Sequence, residues 1–245
     1  MPINRIRSRT AVGPDLWTTF VEKAWPYPAI PKPCHLVHRP IPRLSAAMVL
    51  NLLILASTST TRQALLRAVG VPFEVQPSLI DERQLQDQLR AHRPQDLALQ
   101  LAEAKALSLS VSRPSQPIVG ADQVLELGGA VLHKAGSLNE ARDTLRALRG
   151  QTHQLHSAVA CAAGGTIMFG HVSTAHLTMR DFSDEFLRHY LEAAGETVLG
   201  SVGCYHYEGL GLQLFEKVEG DYHAILGLPL LPLLAFLRQT SIVPT

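Results

Sequence analysis

The chain has few of the features that mark secreted, membrane or nucleic-acid-coating proteins. Its 245 residues include only three cysteines, Cys34, Cys161 and Cys204, an odd number without paired spacing. This argues against a disulfide framework or a zinc site and is typical of a reducing compartment, so we expect a cytoplasmic protein. The net charge is +1, whereas proteins that coat nucleic acid are usually strongly basic. The apolar run 225–237 contains two prolines and is too short to span a bilayer.

The eleven histidines also lack the pattern of a metal centre. His153 and His156 are three apart on a predicted strand, which places them on opposite faces. Four others have no carboxylate or cysteine at ligand spacing: His92, His171, His176 and His189. We therefore expect solvated or partly buried histidines and no zinc enzyme.

Residues 1–47 differ in composition from the rest of the chain. They carry seven Lys or Arg against two Asp or Glu, and half of the 16 prolines. Their pattern has no period long enough for a helix and no apolar stretch like that of a secretory signal. Three early arginines leave an organelle transit peptide open. We favour a disordered extension, or a translation start at Met48, and we predict a folded domain over residues 48–245.

From residue 49 onward, predicted strands and helices alternate, which is the pattern of a layered α/β domain. Strands are predicted at 50–56, 71–75, 118–121, 131–132, 154–162 and 166–178. Helices are predicted at 62–69, 95–110, 138–148 and 183–193. The polar segment 78–95 is assigned no element.

The joint between the first strand and the first helix is rich in hydroxyl groups. Five Ser and Thr residues, from Ser57 to Thr61, follow the apolar run 52–55 and precede Arg62. A strand that feeds a helix N-terminus in this way presents unpaired N–H groups and the positive end of a dipole, which suits a phosphate. Ser and Thr are also the preferred helix N-caps. The joint alone leaves a cap and a phosphate site about equally open.

Two later segments add to this pattern. Gly-Ala-Asp-Gln-Val stands at residues 120–124 and His-Lys-Ala at residues 133–135. Residues 202–230 contain Glu-Gly-Asp-Tyr and Gly-Leu-Pro. With the opening Leu-Ala-Ser-Thr-Ser-Thr-Thr-Arg, these blocks resemble the Maf family of nucleoside triphosphate pyrophosphatases. The family's motifs are Leu-Ala-Ser-x-Ser-Pro-Arg-Arg, Gly-Ala-Asp-Thr-Val with Gly-Lys-Pro, and Glu-Gly-Asp-Tyr with Gly-Leu-Pro. The blocks stand in the family's order from about residue 50 to residue 238.

The resemblance implies a fold, an activity and partners. The fold is α/β, related to the inosine triphosphate pyrophosphatase-like superfamily, with an extended mixed sheet flanked by helices and two lobes around a central cleft. The activity is Mg²⁺-dependent hydrolysis of a nucleoside triphosphate between its α- and β-phosphates, which gives a nucleoside monophosphate and pyrophosphate. The family also implies a homodimer, with neither a nucleic acid polymer nor a membrane as partner.

The resemblance further implies a set of site residues. Asp122 matches the family's catalytic aspartate; from the residues alone, a carboxylate at the end of an apolar strand is more often a turn or cap residue than a functional one. The matches to phosphate-binding positions are Ser57, Ser59, Arg62, Lys105 and Lys134. The acidic pair Asp81 and Glu82 matches the metal site.

The sequence departs from the family's pattern at three places. Thr60-Thr61 stands where the family has Pro-Arg, so one arginine is lost. Gly200-Ser201 replaces Asp-Lys, and His133 and Ala135 flank Lys134 where the family has Gly and Pro. These departures leave open a non-catalytic nucleotide-binding regulator of cell division or septum formation.

Glu208 bears on the choice of nucleotide. The 7-methyl-GTP branch of the family has Glu-Gly here, as this chain does, and the dTTP/UTP branch has Gln-Gly. A carboxylate can accept both the N1–H and the 2-amino group of guanine, whereas an amide suits a pyrimidine with one donor and one acceptor. We predict a preference for 7-methyl-GTP-like purine nucleotides, with dTTP or UTP as the alternative.

Overall fold

A computed structural model describes residues 52–88 and 93–243. The predicted boundary between residues 47 and 48 lies outside this range. The strands are β1 (Leu53–Leu55), β2 (Phe73–Val75), β3 (Ile118–Leu127), β4 (Ala130–Leu132), β5 (Thr152–Ala163), β6 (Thr166–Met179) and β7 (Phe215–Glu219). The α-helices are α1 (Thr60–Ala68), α2 (Glu82–Gln88), α3 (Pro94–Ser110), α4 (Leu138–Leu148), α5 (Asp184–Ala194), α6 (Tyr222–Ile225) and α7 (Leu230–Gln239). Two 3₁₀ helices follow α5, at Gly195–Gly200 and Leu210–Leu214.

The strands form one mixed sheet in the order β2-β1-β3-β5-β6-β7, with β4 paired to β3. β1 runs parallel to both β2 and β3, and the remaining pairs are antiparallel. The predicted α/β class and mixed sheet are confirmed. No helix of the described residues has both the length and the apolarity needed to cross a bilayer.

One edge of β3 is shared between two short strands. β1 pairs with it at Ile118 and Val119, and β4 pairs with it from Leu125 to Leu127. Residues 120–124 therefore pair with neither strand on that side, although β5 pairs with them on the other. This interruption opens the sheet in the middle of β3.

Helices cover the two faces of the sheet differently. α3 buries Leu101 and Ala102 against Val124 and strand β5 on one face. The opposite face carries two apolar clusters, one with α1 and α7 and one with α4 and α5. Along β3, Ala121 belongs to the first of these clusters and Leu125 to the second. The core is thus divided at the point where the edge of β3 is open.

Two histidines of β5 are fully buried, which corrects the expectation of solvated or partly buried histidines. His156 lies between Glu126 and Thr174, with ring nitrogens 2.8 and 2.9 Å from their oxygens. His153 Nε2 lies 2.8 Å from the Tyr205 hydroxyl, and its Nδ1 has no hydrogen-bond partner. Burial lowers the pKa of His153 to about 4.

This shift predicts a loss of stability in mild acid. Folded His153 stays neutral down to about pH 4, whereas in the unfolded chain it takes up a proton near its ordinary pKa of 6.5. The contribution is therefore complete above pH 6.5 and is lost as the pH falls towards 4. In urea unfolding, the free energy of unfolding of the wild type should fall by about 2 kcal/mol between about pH 7.5 and about pH 5. His153→Gln should not show this fall. The exposed His133→Gln is the control; equal pH dependence of all three proteins would contradict the assignment.

Candidate active site

A cleft of 1180 Å³ opens where the edge of β3 is interrupted. It is lined by the β1–α1 joint, by α2, by β4 and the residues after it, and by the loop 200–208. Small-molecule sites typically occupy about 300–1,000 Å³, so a nucleotide fits. All but one of the predicted site residues line the cleft: Ser57, Ser59, Arg62, Glu82, Lys105, Asp122, Lys134 and Glu208.

At the floor of the cleft, one cation touches two carboxylates. Lys105 of α3 places its ammonium nitrogen 2.6 Å from Asp122 Oδ1 and 3.0 Å from Glu82 Oε1. Lys105 and Asp122 are almost completely buried, at 5% and 6% exposure. Leaving either charge alone there would cost several kcal/mol, so each requires the other. The close approach of α3 to β3 creates this pair from residues 17 positions apart.

Asp122 does not lie at a strand tip, as the sequence suggested. It lies in the middle of β3, which runs on to Leu127. The strand continues because β5 pairs with it along its length and β4 takes over beyond the gap. The carboxylate still reaches the cleft, because the neighbouring edge is unpaired at this point.

The two members of the predicted metal pair diverge. Asp81 Oδ1 accepts the Gln84 N–H at 3.0 Å, which makes Asp81 a cap of α2, and it does not line the cleft. Glu82 points to Lys105 instead. Among the described residues, no group of three or more His, Cys, Asp and Glu could hold a metal ion. Glu82 and Asp122 fit an ion that takes two carboxylates and completes its shell with phosphate and water, as Mg²⁺ does.

The β1–α1 joint caps a helix, as one of its two predicted roles requires, and it also lines the cleft. Ser59 is the N-cap of α1 and accepts the Arg62 N–H at 3.3 Å. Ser57 accepts the Ser59 N–H at 3.2 Å. The residues from Ser57 to Arg62 nevertheless all line the cleft. The positive end of α1 therefore opens onto it.

Arg62 binds three protein acceptors. Its Nε donates to Gly227 O at 2.8 Å, and its Nη1 donates to Ala121 O at 2.9 Å and to Ser57 Oγ at 3.3 Å. Burial lowers the pKa of Arg62, while the carboxylates of Asp122 and Glu82 act to raise it. Arginine remains charged in proteins. Arg62 therefore joins α1 to β3, next to Asp122, and still adds positive charge to the cleft.

Arg62→Lys should lower stability, because one ammonium cannot reproduce a fork that reaches three acceptors. We expect a loss of about 1–3 kcal/mol, the usual cost of hydrogen bonds to a charged group. Urea unfolding monitored by circular dichroism measures it. The control is Arg67→Lys on the exposed side of the same helix, where the Arg67 guanidinium donates to the Gln63 side chain and lies 5.5 Å from the centre of the Phe73 ring, a position that a lysine can also reach. Equal unfolding midpoints for the two variants would show that the three hydrogen bonds of Arg62 do not stabilise the fold.

Part of the lining of the cleft is exposed. Lys134 and Glu208 are both exposed there. The departures from the family pattern divide: Gly200-Ser201 and His133 line the cleft, whereas Ala135 is buried outside it. Tyr205 and Tyr207 also line the cleft, and their rings make part of its surface aromatic.

Arg83 and Gln123 are two of the lining residues that were not singled out from the sequence. Arg83 adds a cation to the rim, but it follows Glu82 in a polar segment without periodicity. Gln123 faces away from Asp122 by strand alternation. Its Nε2 donates to Ser157 Oγ at 2.8 Å and to the carbonyls of Ala224 and Ile225 at 3.2 and 3.0 Å. Gln123 thus ties β3 to α6.

The arrangement suits a polyanion and a water nucleophile. Cationic side chains and a helix N-terminus can bind phosphates, and the buried carboxylate can take a proton from a bound water. Glu208, Tyr205 and Tyr207 also line the cleft and can contact a base. A nucleotide with several phosphates meets all of these requirements.

Comparison with known proteins agrees with this chemistry. The Maf-like protein family matches residues 52–240. A nucleoside triphosphate pyrophosphatase of Nitrobacter winogradskyi is 48% identical over 187 residues, which is 76% of this chain and 93% of that protein. A 7-methyl-GTP pyrophosphatase of Brucella abortus is 46% identical over 193 residues, covering 78% and 97%. A nucleoside triphosphate pyrophosphatase of Caulobacter vibrioides is 49% identical over 193 residues, covering 78% and 96%. The chain belongs to the Maf family.

Proposed function

We propose that the protein hydrolyses a nucleoside triphosphate between its α- and β-phosphates, releasing a nucleoside monophosphate and pyrophosphate. The observation that carries this is the buried contact between Lys105 and Asp122 at the floor of a nucleotide-sized cleft. The names of the relatives bear out the reaction class predicted from the sequence.

In the proposed mechanism Asp122 is the general base. Its carboxylate, which the Lys105 ammonium contacts in the free protein, takes a proton from a water molecule. The water oxygen forms a bond to the α-phosphorus, and the bond from that phosphorus to the bridging oxygen of the β-phosphate breaks. The electron pair leaves with pyrophosphate. Arg62, Lys134 and the start of α1 stabilise the charge that develops on the phosphates.

We also propose Mg²⁺ as the cofactor, because triphosphates arrive as its complexes. Glu82 and Asp122 are the residues that would hold it; when bound, it would neutralise phosphate charge and polarise the bond to be broken. A cytoplasmic homodimer is part of the proposal, on the basis of the family. Cys161 and Cys204 are free thiols in this structure, as a reducing compartment would allow.

We propose a purine nucleotide of the 7-methyl-GTP type as the preferred substrate. Glu208 is an exposed residue of the cleft lining, where it can accept two donors from guanine. Methylation at N7 adds positive charge to the base, which a carboxylate complements. The dTTP/UTP alternative would be served by an amide at this position.

Glu208→Gln should move the preference towards pyrimidines. We expect the ratio of kcat/KM for 7-methyl-GTP over dTTP to fall at least about tenfold, because a charge-assisted hydrogen bond is lost for one substrate and not for the other. Rates with 7-methyl-GTP, GTP, dTTP and UTP give the ratio. Glu216→Gln, which replaces an exposed carboxylate of β7 by an amide, should leave this ratio unaltered. An unchanged ratio in Glu208→Gln would place the base elsewhere.

Product identity tests the reaction itself. Full-length protein with Mg²⁺ is incubated with 7-methyl-GTP, GTP, dTTP, UTP and inosine triphosphate, and the products are separated by chromatography. Monophosphate and pyrophosphate in equal amounts are the expected result. Release of orthophosphate would contradict the proposed bond cleavage. Binding without turnover across the panel would instead favour the non-catalytic regulator, for which the missing arginine at Thr60-Thr61 is the specific observation.

A further inference from the structure

Lys105 occupies the position between the two carboxylates that a metal ion would need. Its ammonium nitrogen is 2.6 Å from Asp122 Oδ1 and 3.0 Å from Glu82 Oε1. The side chains of Lys105 and Asp122 are 6% and 8% exposed, so water screens their contact little, whereas the Glu82 side chain is 51% exposed and its contact is screened more. The protein thus carries its own cation at this point.

We propose that the Lys105 ammonium and a divalent cation compete for Glu82 and Asp122, so that the free protein binds metal poorly and takes it up together with the nucleotide. This inference rests on the proposed function, because it assigns an order of binding to that site. A cation that contacts the same two oxygens must displace the ammonium, since like charges repel strongly in a poorly screened site.

A nucleotide removes this conflict. Its phosphate oxygens offer the ammonium of Lys105 new acceptors, and they add oxygen ligands for a metal ion that two carboxylates alone do not satisfy. The Lys105 ammonium and the metal ion then both have oxygen partners, and they no longer compete for the two carboxylates. Metal and nucleotide therefore bind with positive coupling.

The other cations of the cleft do not share this position. Three protein acceptors hold the guanidinium of Arg62: Gly227 O, Ala121 O and Ser57 Oγ. Lys134 and Arg83 are exposed at the rim. Lys105 is therefore the residue whose removal should free the carboxylates, and Lys134 is a matched control that removes the same charge from the same cleft.

Titration of the nucleotide-free, full-length protein with Mn²⁺, followed by the electron paramagnetic resonance of the free ion, tests the competition. We expect Lys105→Met to bind Mn²⁺ at least about tenfold more tightly than the wild type, which is the effect of about 1.4 kcal/mol. Lys134→Met should change the affinity less than about threefold, because it acts only at a distance. Equal affinities of these two variants would overturn the proposal.

A second variant protects the test against a folding defect. Lys105→Gln is neutral but keeps an N–H donor for Asp122, and its circular dichroism should match the wild type if Lys105→Met does not fold. It should show tighter Mn²⁺ binding in the same direction. Wild-type turnover, assayed separately, distinguishes the two failures. Pyrophosphate release without the gain in Mn²⁺ affinity would refute the competition alone, and the gain without any release would refute the proposed function alone.

Discussion

Asp122→Asn is expected to lower kcat for pyrophosphate release about 10²–10⁴-fold, the usual contribution of a positioned general base. The amide has the size of the carboxylate and keeps an oxygen that can accept from Lys105, so the cleft should retain its shape. It cannot take a proton from water at neutral pH. Nucleotide affinity should therefore change much less than kcat.

The measurement is single-turnover pyrophosphate release together with a binding titration. Asp143→Asn, an exposed change on α4, controls for the loss of one negative charge. Circular dichroism establishes that the folded state is preserved. Turnover of Asp122→Asn within about tenfold of the wild type would assign the base to another group. Glu82, which shares Lys105 with Asp122, would then be the next residue to change.

The parts of the fold that carried strong local signals were predicted closely. The helix predicted at 138–148 matches α4, because residues in the sequence mark both of its ends. Ser137 caps it by accepting the Glu140 N–H, three buried residues define its inner face, and Gly150 follows with a positive φ. The predicted helix at 95–110 begins one residue earlier, with a proline in the first turn, where no N–H is required.

Three elements carried no comparable signal and were missed. α2 lies within the segment assigned no element, because most of its described side chains are exposed and it shows no apolar period. β7 is an edge strand and largely exposed, so its alternation is weak. α6 has only four residues. Two of them nevertheless contribute to the site or hold it: α2 through Glu82, and α6 through the carbonyls that bind Gln123.

The candidate site was predicted as a set of residues, not as a geometry. The family resemblance named Lys105, Asp122 and Glu82, but nothing in their spacing indicates that one ammonium touches both carboxylates. That contact depends on the packing of α3 against β3 and on the direction in which α2 leaves β2. Asp81, next to Glu82 in the sequence, turns away because α2 uses it as a cap.

Gly120→Ala is expected to destabilise the fold and to disturb the site together. A Cβ at Gly120 would stand 2.1 Å from Ala102 O and 2.7 Å from Ala106 N, and both atoms belong to the backbone of α3. No change of rotamer relieves a contact with backbone, so the helix must move. Overpacking of this kind costs about 1–3 kcal/mol and occasionally more. We expect a loss at the upper end of that range in urea unfolding.

Gly200→Ala is the matched control, since a Cβ there would meet nothing within 4 Å and its φ is not positive. The same substitution should therefore leave stability nearly unchanged at one glycine and lower it at the other. Because α3 carries Lys105, a displaced helix also moves the ammonium away from Asp122. Gly120→Ala should then lose more activity than its folded fraction accounts for. A loss of activity in proportion to the unfolded fraction would show that the position of α3 does not affect catalysis. The glycine of the Gly-Ala-Asp motif thus acts by letting a helix approach the strand closely enough to pair the charges of the site.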